Sequence, residues 1–253
     1  MTWALDLDGV VWLAGRALPG SVEAVGALRD AGERVVFLTN NSGPLVSDHL
    51  AALARIGIQA GGEDLTTSAQ AAASTLQAGE RVTAIGDGGV LEALAGRGLE
   101  VVPADARPQA VVVGRTLQLD YSALSAAAEA VRAGARFVAT NTDATFPTGE
   151  GLQPGAGALV AFLSVASGRE PLVAGKPHEA MAALVQARYG QVSVMAGDRP
   201  DTDGRFAIAL GARFALVLSG VTRSSDLPVE PAPDLIGPNL AAVVAGYLAS
   251  LEG

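Results

Sequence analysis

The segment Ala4-Leu5-Asp6-Leu7-Asp8-Gly9-Val10 sets two carboxylates two residues apart at the end of an apolar run. Alternate side chains of a strand share a face, so Asp6 and Asp8 project together from its carboxyl end. In open parallel sheets that end is where ligands bind. Carboxylates this close repel one another unless a cation lies between them or one carries a proton. Either state is chemically useful, as a nucleophile, a general acid or a metal ligand. A calcium loop opening on the same residues would need glycine at its sixth position, where Val11 stands, and further oxygen ligands where apolar residues follow. A solvated strand end with two surface acids is the plain alternative, and these residues alone leave it open.

Three further runs have chemical content. Phe37-Leu38-Thr39-Asn40-Asn41-Ser42 carries an apolar run straight into hydroxyl and amide groups. Such groups, with backbone N–H at a strand end, can cradle a phosphate, although by themselves they read better as a turn or helix cap. Val173-Ala174-Gly175-Lys176-Pro177 holds the only lysine among 17 basic residues. A chain that otherwise uses arginine keeps a lysine where a compact point charge on a thin stem is needed, or merely at its surface. In Ala196-Gly197-Asp198-Arg199-Pro200-Asp201-Thr202-Asp203, an apolar run ends in three aspartates. Hard oxygen clusters of this kind suit magnesium; a polar turn before a helix over 204–210 is the alternative, and for Asp201 the better one.

The elements that must position these groups alternate. Strands are expected at 2–7, 35–39, 81–85, 110–113, 137–140, 192–196 and 214–218. Between them run helical patterns: one capped by Ser21 and stopped by Gly32, one through Val46, Leu50 and Leu53, and others over 67–78, 88–96, 121–133, 156–167 and 178–189. Asn239 caps a final helix, and residues 226–238, with four prolines, read as loop. Strand–helix alternation of this sort argues for α/β units on a parallel sheet. The middle of the chain lacks the acidic punctuation of its flanks and reads as a second α/β domain inserted into the first.

Composition narrows the classes. The 253 residues are 49% hydrophobic and 17% charged, enough for one large domain or two modest ones, each with a core. A net charge of −9 disfavours nucleic acid and anionic membrane as partners. With no cysteine there is no disulfide, thiolate zinc site or cysteine nucleophile. No apolar run reaches the roughly 18 residues of a membrane span, and the N-terminus does not read as a signal peptide, so a soluble, cytoplasmic protein is expected.

Taken in order, Asp-x-Asp-Gly-Val, Thr-Asn-Asn-Ser, Gly-Lys-Pro and Gly-Asp-Arg-x-x-Thr-Asp resemble the haloacid-dehalogenase superfamily of phosphatases. More narrowly, the chain is similar to the NagD-like branch, which includes nitrophenyl-phosphatase, phosphoglycolate and glycerol-phosphate phosphatases. The resemblance covers nearly the whole chain, including Ala139–Asp143 and Gly151–Ala158. It implies a Rossmann-like, doubly wound parallel-sheet core over 1–78 and 172–253, with an α/β cap domain of class IIA inserted at 79–171. It implies Mg²⁺-dependent hydrolysis of a small phosphorylated metabolite, with the cap selecting the substrate. Asp6 would be the nucleophile forming an aspartyl phosphate, and Asp8 the acid and base. Thr39, Asn40 and Asn41 would bind the phosphoryl group, and Lys176 would neutralise its charge. Asp198 would hold the metal with Asp6 and the backbone carbonyl of Asp8, supported by Asp203. Thr140, Asn141 and Asp143 match the cap's substrate loop, and Trp12 falls where the family carries a mobile flap. A homodimer paired through the caps follows by analogy only.

Two rivals are weighed against this reading: a phosphotransferase or mutase using the same aspartyl phosphate, and a non-catalytic phosphometabolite binder. Retention of Asp6, Asp8, Lys176 and Asp198 speaks against the binder. Gly155-Ala156-Gly157 lacks the preceding strand of a dinucleotide fingerprint. His49 and His178, the only histidines, complete no triad, and His178 reads as a first-turn helix residue.

Overall fold

The computed structural model describes residues 1–148 and 151–251. The chain divides into two compact units, one of Met1–Thr39, His49–Thr66 and Ala182–Gly253, the other of Asn40–Asp48 and Thr67–Met181.

The first unit is built on a six-stranded sheet. Its strands lie in the spatial order Leu235–Gly237, Arg213–Val217, Val194–Gly197, Thr2–Asp6, Arg34–Thr39 and Leu65–Thr67. Numbered along the chain this is 6-5-4-1-2-3, the doubly wound dinucleotide-fold order, whose reversal point falls between Thr2–Asp6 and Val194–Gly197. Those two strands pair in parallel with Leu5 opposite Ala196, so their carboxyl ends are level. Every residue of Thr2–Asp6 is buried, as a central parallel strand requires. Trp3 packs edge-on against Tyr247 of the Leu240–Ala249 helix, with ring centroids 4.9 Å apart.

The second unit carries a five-stranded parallel sheet in the order Leu172–Val173, Arg136–Ala139, Ala110–Val113, Arg81–Ile85 and Glu100–Val101. Its core packs Val111, Val113, Phe137 and Ala139 of the sheet against Leu124, Ala127 and Val131 of the Tyr121–Arg132 helix and Val160 and Leu163 of the Ala156–Ser167 helix. Leu159 and Phe162 are partly buried at its margin.

Several local expectations are corrected. Gly20, at φ 76°, is the residue that precedes the first helix, Ser21–Asp30, and the Ser21 hydroxyl instead donates to the Val11 carbonyl at 2.7 Å. The helix expected over 67–78 is Ser68–Ser74, opened by a reciprocal Thr67–Gln70 capping box. The expected loop 226–238 contains the strand Leu235–Gly237, three residues that pair with Arg213–Val217. An antiparallel hairpin, Thr145–Thr148 with Gly151–Pro154, adds a pair of strands beyond the expected elements. No helix of the described residues is long and apolar enough to cross a membrane.

Candidate active site

At the reversal point of the first sheet, the carboxylates of Asp6, Asp198 and Asp203 each offer an oxygen, and these oxygens lie within 4.8 Å of one another. Asp6 is the last residue of its strand, and Asp198 follows directly on Gly197. Asp203 is brought in by a widened turn over Pro200–Gly204, in which Gly204 N–H donates to Arg199 C=O across five residues at 3.3 Å. The three are 9%, 2% and 1% exposed. Three buried carboxylates this close are mutually destabilising as anions, and a hard divalent cation with oxygen preference offsets that repulsion. The donor set therefore fits Mg²⁺.

The surroundings of Asp198 include residues that sequence reasoning did not single out. Its Oδ2 accepts the Val221 N–H at 2.6 Å, and its carbonyl accepts the Thr222 N–H at 3.3 Å. Gly9 and Gly220 lie so close to this carboxylate that a Cβ on either would overlap it. Gly9 also has φ +85°, which favours glycine, and its carbonyl accepts the Ser219 hydroxyl at 2.7 Å. The only sequence cue is the apolar run Phe214–Leu218 breaking into Ser219-Gly220.

Asp8 stands outside the carboxylate cluster. Its Oδ1 accepts the indole N–H of Trp12 at 3.2 Å. Trp12 is 4% exposed and packs within the fold. Thr39, at the end of its strand, is 2% exposed.

In the second unit, polar residues from separate segments meet. Asn40 Oδ1 accepts the Lys176 N–H at 2.9 Å, while its Nδ2 donates to the Lys176 carbonyl at 3.1 Å and to Asp143 Oδ2 at 3.2 Å. The Asn40 carbonyl accepts from Ser68 Oγ at 2.6 Å and from Asn141 Nδ2 at 2.7 Å. Asn141 Oδ1 in turn accepts the Asp143 N–H at 3.0 Å, and Thr140 Oγ1 donates to Ser42 Oγ at 3.0 Å. Thr140 and Asn141, expected in a substrate loop, are 0% and 3% exposed, with their polar groups engaged inside the unit. Asn41 Oδ1 accepts from Arg115 Nε at 3.1 Å, and the Arg115 guanidinium lies 4.5 Å from the ring centre of Phe146. Nothing in the sequence marks Arg115, which is one arginine among 16.

The remaining candidates have ordinary places. Asp201 is exposed and pairs with Arg199 at 3.3 Å. Gly155 precedes the Ala156–Ser167 helix at its N-cap. His178 immediately precedes the Glu179–Tyr189 helix, and partial burial lowers its pKa below the ordinary imidazole value.

Comparison with known proteins places this geometry. Residues 3–100 match the family model described as haloacid dehalogenase-like hydrolase, and residues 173–243 match a second, HAD-hydrolase-like model. The chain is 39% identical over 248 residues to D-glycerol 3-phosphate phosphatase of Mycobacterium tuberculosis, covering 94% of this chain and 69% of that one. It is 33% identical over 244 residues to the ribonucleotide monophosphatase NagD of Escherichia coli, covering 94% and 96%. A crystal structure of the Mycobacterium tuberculosis glycerol phosphate phosphatase in complex with magnesium superposes with a TM-score of 0.89 at 38% identity, covering 96% of this chain and 76% of that one.

Proposed function

This chain belongs to the haloacid dehalogenase-like hydrolases, in their NagD-like branch, and is a phosphatase of small phosphate esters; we propose that it works through an aspartyl phosphate on Asp6. The observation that carries the reading is the convergence of the Asp6, Asp198 and Asp203 carboxylates at the reversal point of a doubly wound sheet.

In the first step a carboxylate oxygen of Asp6 attacks phosphorus, and the bond from phosphorus to the ester oxygen breaks. Asp8 gives its proton to the departing alkoxide. In the second step Asp8 takes a proton from water as the water oxygen attacks the same phosphorus, releasing inorganic phosphate and regenerating Asp6. Asp6, Asp198 and Asp203 would hold Mg²⁺, with the backbone carbonyl of Asp8. When bound, the ion supplies the positive charge that lets an anionic carboxylate meet an anionic phosphoryl group.

Thr39 and Asn41 bind phosphoryl oxygens in this reading, and the Lys176 ammonium offsets charge that grows in the transition state. These roles rest on the match of Thr-Asn-Asn-Ser and Gly-Lys-Pro to the family motifs. The inserted segment 79–171 serves as the cap, and Asp143, partly exposed, is its contact to substrate. Thr140 and Asn141 support that contact from within. Small polyol phosphates are the substrates favoured by the glycerol-phosphate relative.

The deciding experiment is phosphate release from nitrophenyl phosphate by Asp6→Asn. Turnover should fall at least about 10³-fold, since a carboxamide cannot take the nucleophile's part. Retained turnover in a folded variant would refute the assignment. Transfer to a second alcohol without free phosphate would favour a mutase instead.

A further inference from the structure

Asn40 is expected to contact phosphate, yet its carboxamide is fully engaged elsewhere. Its single oxygen accepts the Lys176 N–H at 2.9 Å, and its two amide hydrogens serve the Lys176 carbonyl at 3.1 Å and Asp143 Oδ2 at 3.2 Å. The orientation of the amide is fixed by chemistry: a backbone N–H only donates and a carbonyl only accepts. Asn40 is 9% exposed and Lys176 is 4% exposed, so water competes little for these bonds.

We propose that the Asn40 side chain is a positioning clasp for Lys176, gripping its backbone on both sides and so fixing the direction in which its ammonium leaves the chain. This rests on the reading of Lys176 as the group that offsets phosphoryl charge. A carboxamide suits the task because it accepts and donates at once, as a neighbouring strand would; a carboxylate offers no donor, and a hydroxyl is too short to span both atoms. The clasp is itself anchored. The Asn40 carbonyl is held by Ser68 Oγ at 2.6 Å and by Asn141 Nδ2 at 2.7 Å.

The residue before the lysine fits the same device. A Cβ on Gly175 would come within 2.5 Å of the Thr140 carbonyl oxygen, 2.6 Å of Asn40 Oδ1 and 3.0 Å of Ser68 Cβ. Gly175 N–H also donates to the Thr140 carbonyl at 2.8 Å. Glycine is required here by close approach: any side chain would push the lysine segment off the clasp. The third bond, to Asp143, ties the lysine's support to the proposed substrate contact.

The test is a double-mutant cycle of Asn40→Asp and Lys176→Met, with kcat and KM measured for nitrophenyl phosphate and folding checked by thermal melting. Asn40→Asp removes both donors while keeping the shape. Alone it should lower kcat about 10- to 100-fold with little change in KM, as expected when a charge-stabilising group is displaced by about an ångström. In the Lys176→Met background the same change should cost less than about threefold, because the group it positions is gone. Gly175→Ala, which leaves Asn40 intact, should reproduce the kcat loss if Asn40→Asp fails to fold. Equal losses from Asn40→Asp in both backgrounds, or a raised KM at constant kcat, would overturn the clasp and return Asn40 to direct phosphate binding. Wild-type kcat in Lys176→Met would instead overturn the role of Lys176, and the clasp with it.

Discussion

The indole N–H of Trp12 donates to Oδ1 of Asp8 at 3.2 Å, and the two residues also form an isolated β-bridge. The residue proposed to carry a proton to the leaving group is thus held by an aromatic donor four positions along the chain. The donor fixes the orientation of that carboxyl group. Trp12→Phe keeps most of the packing and removes the donor. It should slow hydrolysis of an alkyl phosphate about tenfold, as expected when a proton-transferring group loses its orientation. Nitrophenyl phosphate should be affected less, because its leaving group needs little protonation. Rates on the two substrates measured side by side decide it; equal slowing would mean that Trp12 matters only for packing.

The carboxylate cluster makes metal binding visible without catalysis. Magnesium at about 100 times its Kd should stabilise the fold by about 2.7 kcal/mol, and thermal melting with and without the ion reads that shift. Asp198→Asn removes one of the clustered charges, and its melting temperature should respond much less. EDTA should silence phosphate release and added Mg²⁺ restore it. Full activity in EDTA, or an undiminished shift in Asp198→Asn, would remove the metal from this site.

Much of this arrangement is legible in the sequence because apolar runs that break into polar residues mark strand ends. Asp6, Thr39 and Asp198 stand out that way, and all three lie at or just past such ends. The strand Leu235–Gly237 is hidden because three residues between prolines carry no periodicity, and only pairing with Arg213–Val217 defines it. Asn40 reads locally as a turn residue or phosphate ligand because its bonds to Lys176 span 136 positions, a distance at which no local pattern operates. Gly220 is silent for a related reason: what it permits, as Gly9 does, is the close approach of Asp198, a property of the folded chain.

Gly220 offers a steric test of the same carboxylate. A Cβ there would overlap the Asp198 side chain, and its backbone angle is not of the left-handed kind, so strain is not the confounding cause. Gly220→Ala should displace the Asp198 carboxylate and weaken Mg²⁺ binding at least about tenfold by thermal shift, in keeping with losses seen when metal ligands are misoriented. Gly246→Ala is the control, because nothing lies within 4 Å of a Cβ at that helical position. It should leave metal binding unchanged and stabilise the chain by roughly 0.5–1 kcal/mol. Unaltered metal binding in Gly220→Ala would show that the Asp198 loop yields without cost.

Tyr189 sets an expectation for alkaline stability. Its hydroxyl lies 2.8 Å from Thr66 Oγ1, the residue is 6% exposed, and burial pushes its pKa above the ordinary value of 10.0. In the unfolded chain the phenol loses its proton near that ordinary value, while the folded chain keeps it to higher pH. The unfolded state therefore holds fewer protons in this window, and stability must fall as pH rises. The contribution is complete below the unfolded value of 10.0 and is lost progressively as pH climbs through the folded one. Tyr189→Phe should cost about 1 kcal/mol at neutral pH for the missing hydrogen bond, and should flatten the decline above the unfolded value of 10.0. Urea unfolding of both proteins across that range provides the comparison. An equally steep decline in Tyr189→Phe would assign the alkaline loss to other groups.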